Sequence, residues 1–358
     1  MTQARLAGLD IRAIVLCAGL GLRLRPLTAR LPKSLLPAVG RPVLEHTLAE
    51  LLAIGCTSVA INLHHLPQVI RKRFGSAWQG MGITYSEEPE LLGTLGALGP
   101  LRDFVAGGDL VLVVNGDSLC RWPLKKLVRS HLKAGADASL LLARRARPER
   151  FGGGVLVGED GRILALRGGR APRKKERRRV FAGAHVFAPA LLDRAAKPVA
   201  GEPGDLVTDL WEPLLTVGGR LQAVETGRRW HDLGTPGRYL EAVLETARGR
   251  WPGRLRRRRW IAGGARVEAG AKVKRSVLES GARAERGARV RDSLLLPGAV
   301  AGRGCDLSWT ILGPEVELPA GAAVKARLVT VSRSDVPVPE GGSVVGGLVY
   351  SKLEAAPR

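Results

Sequence analysis

Apolar residues in this chain fall in short runs whose character changes along the sequence. Ala13–Cys17 and Leu110–Val114 are unbroken apolar stretches, the pattern of strands buried on both faces of a parallel sheet. Thr57–Leu63, Ile83–Ser86, Ala138–Ala143, Phe181–Phe187 and Leu221–Glu225 read as further strands, and Val155–Val157 with Arg162–Leu166 as a hairpin. Between them, apolar positions recur with helical spacing from about Val43 to Ala53, in Gln68–Phe74, in Pro123–Ala134 and in Leu206–Thr216. Thr94 is placed to cap a helix running to Phe104, and Thr235 with Pro236 to start one through Arg248. Strands alternating with helices predict an α/β domain over residues 1–249, a mixed, mainly parallel sheet of Rossmann-like type with flanking helices.

From Ile261 the period becomes six. Ile261, Val267 and Val273 open the series, which resumes with insertions around Ala284, Val290, Leu296, Val300, Leu307, Val316, Leu318 and Val324, with Gly and Ala between. One inward aliphatic per six residues, with small residues at the corners, is the hexapeptide signature of a parallel β-helix, expected here to be left-handed and to cover 261–331 in roughly four coils of about 18 residues. Residues 250–260 form a basic linker. Pro337, Pro339 and the Gly-Gly pairs mark 332–358 as an extended tail.

Composition adds bounds. With 358 residues, 45% of them hydrophobic, the chain can build two cores. No run of about 18 apolar residues indicates a membrane span, and Met1–Arg12 lacks an apolar signal core, so the expected location is the cytoplasm. Cys17, Cys56, Cys120 and Cys305 are scattered, without a Cys-x-x-Cys pair, and are expected as reduced, buried thiols. The net charge of +23 raises nucleic acid as a partner. Much of the excess sits in two runs, Arg170–Arg179 and Arg254–Arg259, while aromatics are only 4%. The runs therefore read as a solvated loop and a solvated linker, with nucleic-acid binding kept as an alternative.

The stretch Ile14–Thr28, continued by Pro32–Pro37, carries the candidate chemistry. A strand breaks at Ala18-Gly19, and Gly19 and Gly21 let the backbone turn and present bare N–H groups to an anion. Arg23, Arg25 and Lys33 place cations around the loop, a combination suited to a polyphosphate. It is not a dinucleotide fingerprint, because Leu24 stands where the third glycine belongs, and no Gly-Lys-Ser/Thr triplet makes a P-loop. Asn115-Gly-Asp117 ends a central strand, where open α/β sheets bind ligands. His64 and His65 are neighbours and point apart, which suits ordinary loop histidines better than a metal pair.

Residues 15–37 resemble the signature of the sugar-phosphate nucleotidyltransferases: glycine loop, Arg-Leu, Pro-Leu-Thr, then Pro-Lys-x-Leu-x-Pro. Leu22 departs from it, replacing a usual Thr. Glu87–Leu98 is similar to the family's second glycine turn, which packs on the base, and Trp230–Pro236 to its Trp-x-Asp-x-Gly-Thr-Pro heptad. The aromatic-glycine turn Phe151–Gly154 and the strand through Gly183 resemble segments on the sugar side. A Glu-Lys-Pro motif common in relatives is missing. With the repeats, the architecture is most similar to the long-form mannose-1-phosphate guanylyltransferases.

The resemblance implies that an NTP and a sugar 1-phosphate give an NDP-sugar and pyrophosphate, with GTP and mannose 1-phosphate the leading pair. It implies catalytic roles for Arg23, Lys33 and Asp117, and nucleotide contacts from Ala18, Gly19, Gly21, Glu88, Gly93 and Asn115. It further implies sugar contacts from Gly154 and Gly183, and Mg2+ held by Asp117 and Asp232. UTP, dTTP or CTP in place of GTP, and a catalytically weak regulatory paralogue, remain as alternatives. All six histidines precede the repeats, so the C-terminal domain is expected to mediate homo-oligomer assembly or regulation rather than His-dependent acyl transfer.

Overall fold

The first sheet is built around β1 (Ile11–Leu16), which pairs in parallel with β2 (Ser58–Leu63). Beyond β2 lies β3 (Met81–Glu87), also parallel, and on the other side of β1 runs β4 (Leu110–Asn115). The computed structural model describes residues 8–145, 154–168, 170–195, 202–227, 230–249 and 259–354. They divide into two compact units: one runs to Gly19 and resumes over Leu44–Trp230, and the other joins Leu20–Val43 to His231–Arg358.

The first unit continues with β5 (Ala138–Ala143), the hairpin β6 (Val155–Val157) and β7 (Ile163–Ala165), β8 (Arg177–Phe187) and β9 (Leu221–Thr226). β8 runs antiparallel to β4, β5 and β6, and β9 returns parallel to β5. The sheet is thus mixed and mainly parallel, as the apolar runs predict. Helices α1 (Val43–Leu52), α2 (Pro67–Phe74) and α3 (Leu124–Ala134) connect its strands. Ile14, Val111, Val113, Leu140, Phe187 and Trp211 belong to one continuous core.

Two predicted helices are altered. The helix expected from Thr94 to Phe104 is two short pieces, Gly93–Gly96 and Arg102–Ala106, because Pro100 intervenes. Thr94 caps neither: its hydroxyl donates to Asp205 Oδ2 and accepts from the Leu206 N–H. The helix expected over 206–216 opens with a wide π turn, Val207–Trp211, before Glu212–Thr216; Pro213 has no N–H to give back to the preceding turn.

The first basic run is not a solvated loop throughout. Arg177–Arg179 open β8, and the two-residue strand period turns Arg177 and Arg179 the same way. Their Nε atoms reach Glu225 Oε1 and Oε2 at 2.5 and 2.7 Å. Burial alone would raise the Glu225 carboxyl, but these two hydrogen bonds outweigh it and hold it below the ordinary value. Arg170 grips Glu176 with both terminal nitrogens, at 2.5 and 2.6 Å, and Lys175 meets Glu159 at 3.0 Å. Of the second run only Arg259 falls among the described residues.

In the second unit the repeats wind into a parallel β-helix. Trp260 pairs with Val277, Val277 with Leu294, and Leu294 with Ile311, so each coil takes 17 residues rather than the expected 18. The missing residue belongs to the third corner. Two corners turn through glycines such as Gly281 and Gly287, at φ +71° and +77°. The third turns on a single left-handed residue that is not glycine: Arg275, Asp292, Trp309 and Ala326, at φ +46° to +52°. Such backbone costs on the order of 1 kcal/mol per residue, and a buried hydroxyl ladder beside it offsets the strain. Ser276 Oγ accepts from Ser293 N at 3.1 Å, and Ser293 Oγ accepts from Thr310 N at 3.1 Å. Each hydroxyl also donates to a carbonyl two residues back.

Inward aliphatics including Val290, Leu307, Val316, Leu318 and Val324 fill the coil interior. Residues of the expected extended tail fold back as strands. Leu348–Lys352 lies antiparallel on Arg327–Val331, and Ser343–Val345 adds outside it. Helix α4 (Pro236–Arg248) packs against the coil face that carries Val277–Leu278 and Leu294–Leu295, burying Tyr239, Leu240, Val243 and Leu244. Thr235 caps it, as predicted, by accepting the Arg238 N–H.

Candidate functional site

In the first unit, candidate residues converge at the carboxyl ends of β1 to β4. The Cys17 N–H donates to Asn62 Oδ1 at 2.7 Å, and Asn62 Nδ2 donates to Glu88 Oε1 at 2.7 Å. Glu88 Oε2 accepts the Leu92 N–H at 3.0 Å. Glu88 is 3% exposed, and both its oxygens are engaged in bracing the 88–92 loop. Asn62, the hub of this network, has no motif to announce it; its position at the end of β2 is the available signal.

Gly93, at φ +72°, is also a packing requirement: a Cβ there would stand 2.5 Å from the Gly204 carbonyl oxygen. Ala18 is buried, whereas Gly19 is exposed with open space around it, which leaves its backbone accessible. Gly116 has no room for a side chain, since a Cβ would meet Cys17 Sγ at 2.3 Å. The tight packing delivers Asp117 at the end of β4, half-buried. A Cβ on Gly183 would stand 2.9 Å from the Asn115 carboxamide, so these two predicted residues are neighbours, brought together by a bulge in β8. Gly154 accepts the Gly168 N–H and closes the β6–β7 hairpin; residues 151–153 of its predicted turn lie outside the described residues.

In the second unit, Gly21 takes the left-handed conformation (φ +62°), and Thr28 Oγ1 donates to its carbonyl at 2.7 Å, locking the loop. Leu24, Leu27, Leu35 and Leu36 are buried, while Arg23 is exposed. The Arg23 guanidinium lies 3.3 Å from where a Cβ on Gly234 would stand. Lys33, 9% exposed, brings Nζ to 4.0 Å from Asp232 Oδ1. On the other side, Arg238 Nη1 donates to Asp232 Oδ2 at 2.7 Å. Three cations thus gather around one carboxylate and the N-terminus of α4, a net positive site suited to phosphate groups.

Arg238 is absent from the sequence prediction. A cation in the first turn of a helix opposes the helix dipole, and that is the signal from which a carboxylate partner could have been inferred. Among the described residues no cluster of three or more His, Cys, Asp and Glu could hold a metal. The carboxylate oxygens of Asp117 and Asp232 are the donor type that a hard divalent cation takes. The four cysteines are buried thiols outside any disulfide, as predicted. No helix among the described residues is long and apolar enough to cross a membrane.

The family described as nucleotidyl transferase matches residues 12–249, and the GlmU-like, C-terminal hexapeptide family matches residues 256–345. Mannose-1-phosphate guanyltransferase beta-B of Xenopus laevis is 28% identical over 269 residues, 74% of this chain and 73% of that protein. Mannose-1-phosphate guanylyltransferase catalytic subunit beta of Danio rerio is 27% identical over 269 residues with the same coverage. A solved structure from Bacillus anthracis, assigned as a glucose-1-phosphate thymidylyltransferase and in complex with a sucrose, superposes with a TM-score of 0.58 at 26% identity. It covers 68% of this chain and 98% of that one. With a matching family domain over more than half its length, bearing a glycine loop and a cation-ringed carboxylate, the chain belongs to the nucleotidyl transferase family.

Proposed function

We propose that the chain transfers a guanylyl group from GTP to mannose 1-phosphate, releasing pyrophosphate. The observation that carries the phosphate-transfer part is the gathering of Arg23, Lys33 and Arg238 around Asp232. The sugar and base follow the relatives, whose names are those of mannose-1-phosphate guanylyltransferases.

In this reading an oxygen of the sugar phosphate attacks the α-phosphorus of the nucleotide in line with the departing pyrophosphate. Such chemistry asks the protein for positioning and charge neutralisation. Backbone amides at Ala18, Gly19 and Gly21, with Arg23, hold the triphosphate. Lys33 spans the reacting phosphates, and Arg238 adds positive charge while fixing the Asp232 carboxylate. Glu88 and Gly93 shape the loop that receives the base, Asn115 borders the nucleotide, and Gly154 and Gly183 border the sugar.

The family generally uses a divalent metal ion, for which Asp117 and Asp232 are the proposed carboxylates and Mg2+ the proposed ion. Bound there, the ion would supply charge neutralisation to the substrate phosphates. The hexapeptide domain is assigned to homo-oligomer assembly.

The test is pyrophosphate release by purified protein with Mg2+, across GTP, UTP, dTTP and CTP against a set of sugar 1-phosphates. The highest kcat/KM is expected for GTP with mannose 1-phosphate. A preference for dTTP with glucose 1-phosphate, the pair named by the Bacillus anthracis relative, would replace the substrate assignment. No release with any pair would remove the enzymatic reading.

A further inference from the structure

The short hairpin after Lys33 is held by a residue from the repeats. Pro37–Ala38 and Arg41–Pro42 pair as two small strands, joined by a turn in which Val39 and Gly40 both have positive φ, +56° and +85°. A Cβ on Gly40 would lie 2.7 Å from the Trp260 ring, so the turn is pressed against the start of the first coil. There the Gly40 N–H donates to Glu279 Oε2 at 3.0 Å. Glu279 follows the strand Val277–Leu278 and is only 2% exposed. Its other oxygen, Oε1, has no hydrogen-bond partner among the described residues.

At the base of the hairpin the Tyr239 hydroxyl, fully buried on α4, donates to the Pro37 carbonyl. The Tyr239 hydroxyl is pushed well up by burial and then by the nearby Glu279 charge. The two residues therefore belong to one buried polar cluster with the 37–40 backbone. From Pro37 the chain runs back through the turn Lys33–Leu35, where Leu36 N–H bonds the Lys33 carbonyl. A buried carboxyl with one unpaired oxygen is a costly choice for a repeat whose neighbouring coils place Leu296 and Gly313 at the equivalent positions. Such a choice needs a reason outside the stacking of coils.

We infer that Glu279 is a positioning residue for Lys33: with Tyr239 it fixes both ends of the Pro37–Gly40 arm, and so sets where the lysine segment ends and where its ammonium stands. The inference rests on the role proposed for Lys33. It makes the repeat domain a working part of phosphate handling in addition to any assembly role. An oxygen acceptor at residue 279 is what the turn requires, so glutamine can serve and leucine cannot.

The test compares Glu279→Gln, Glu279→Leu and Tyr239→Phe with wild type in the full chain. The readouts are kcat and KM for both substrates, melting temperature, and amide exchange over residues 32–42. Glu279→Leu is expected to lower kcat by about 10- to 100-fold with KM changed less than about threefold, the split expected of a misplaced reacting group. Glu279→Gln should recover kcat to within about threefold of wild type. Exchange at residues 39–41 should quicken in Glu279→Leu and stay slow in Glu279→Gln. If Glu279→Leu does not fold, Tyr239→Phe, which removes only the hydroxyl on Pro37, carries the test with a smaller kcat loss and unchanged KM. A folded Glu279→Leu with wild-type kcat and unchanged exchange would overturn the inference, as would a glutamine variant as impaired as the leucine one. Lack of turnover in wild type overturns the proposed function instead, and the exchange comparison still decides whether Glu279 anchors the turn.

Discussion

Lys33 Nζ stands 4.0 Å from Asp232 Oδ1, across a gap too long for a hydrogen bond but short enough for a strong charge contact. Lys33 is buried and Asp232 half-buried, so water screens the pair less than it would at the surface. The opposite oxygen is fixed by Arg238. Asp232 therefore sits in a defined rotamer between two cations, and its loss would leave Lys33, Arg238 and the adjacent Arg23 to repel one another.

Asp232→Asn is close to isosteric and is expected to fold, yet to lower turnover on the order of 10²–10³-fold, as removal of one charge-stabilising group does. Pyrophosphate release together with a thermal melt checks it. Wild-type turnover in a folded variant would show that the carboxylate has no part in the reaction.

Arg238→Gln tests the residue that sequence reading passed over. Its ion pair is partly exposed, so the stability cost should be small, about 1 kcal/mol or less. The expected functional effect is larger: a fall in kcat/KM of about tenfold or more, since a charge near the phosphates is lost and Asp232 is unpinned. Steady-state kinetics with each substrate varied in turn separates binding from turnover.

Glu279 gives a pH dependence of unusual sign. Burial pushes its carboxyl up to about 7 from an ordinary 4.5, against the opposing pull of the Gly40 and Val39 backbone amides. Between those values the folded chain keeps a proton that the unfolded chain has released. This group's contribution to stability therefore falls as pH rises from 4.5 through about 7, by up to about 3 kcal/mol. Glu225, held below its ordinary value, acts oppositely: its stabilisation is present above the unfolded value and lost as pH falls through the folded one. Buried His185, pushed down to about 3, and His131, also pushed down by burial, act in the opposite sense below 6.5, so the effect of Glu279 is read from melting curves as a difference between chains. Stability should rise less steeply with pH over this range in wild type than in Glu279→Gln, and equal slopes would contradict the assignment.

Gly116→Ala should strain the joint between β1 and β4, because the added methyl meets Cys17 Sγ at 2.3 Å. Overpacking of this kind costs typically about 1–3 kcal/mol. Shrinking the neighbour as well, in Gly116→Ala/Cys17→Ala, should recover part of the loss, and the coupling measured by a double-mutant cycle reports the contact.

The strands at the centre of the sheet were legible because their apolar runs are unbroken: β1, β2 and β4 fall where Ala13–Cys17, Thr57–Leu63 and Leu110–Val114 indicate. The failures have local causes. Pro100 and Pro213 interrupt helical periodicity without disturbing its apolar spacing, so the pattern looks continuous where the backbone is not. The 17-residue coil was hidden because its third corner uses Arg275, Asp292, Trp309 and Ala326, none of which advertises a positive φ. Of the candidate site, the glycine loop and Asp232 announced themselves through neighbouring cations and a heptad. Arg238 and Asn62 did not, because single polar residues at element ends are common and only tertiary pairing distinguishes them. The grip of Glu225 on two arginines of the basic run was equally out of reach, since it joins β9 to β8 across nearly fifty positions.

Helix α4 has a consequence for how this protein can change over evolutionary time. A stack of repeats open at one end can gain or lose a coil with little penalty. Here the last residues described return to the helix: the Glu354 carbonyl oxygen would lie 2.4 Å from a Cβ on Gly237, while Arg248 near the other end of the helix pairs with Asp292 at 3.0 Å. The helix therefore acts as a strut of fixed length beside the coils between those attachment points. One extra coil would lift the returning tail by about 4.8 Å, the spacing between neighbouring strands, and pull it off Gly237. Coil number in this chain is tied to the length of a helix outside the repeats, and the two can change only together.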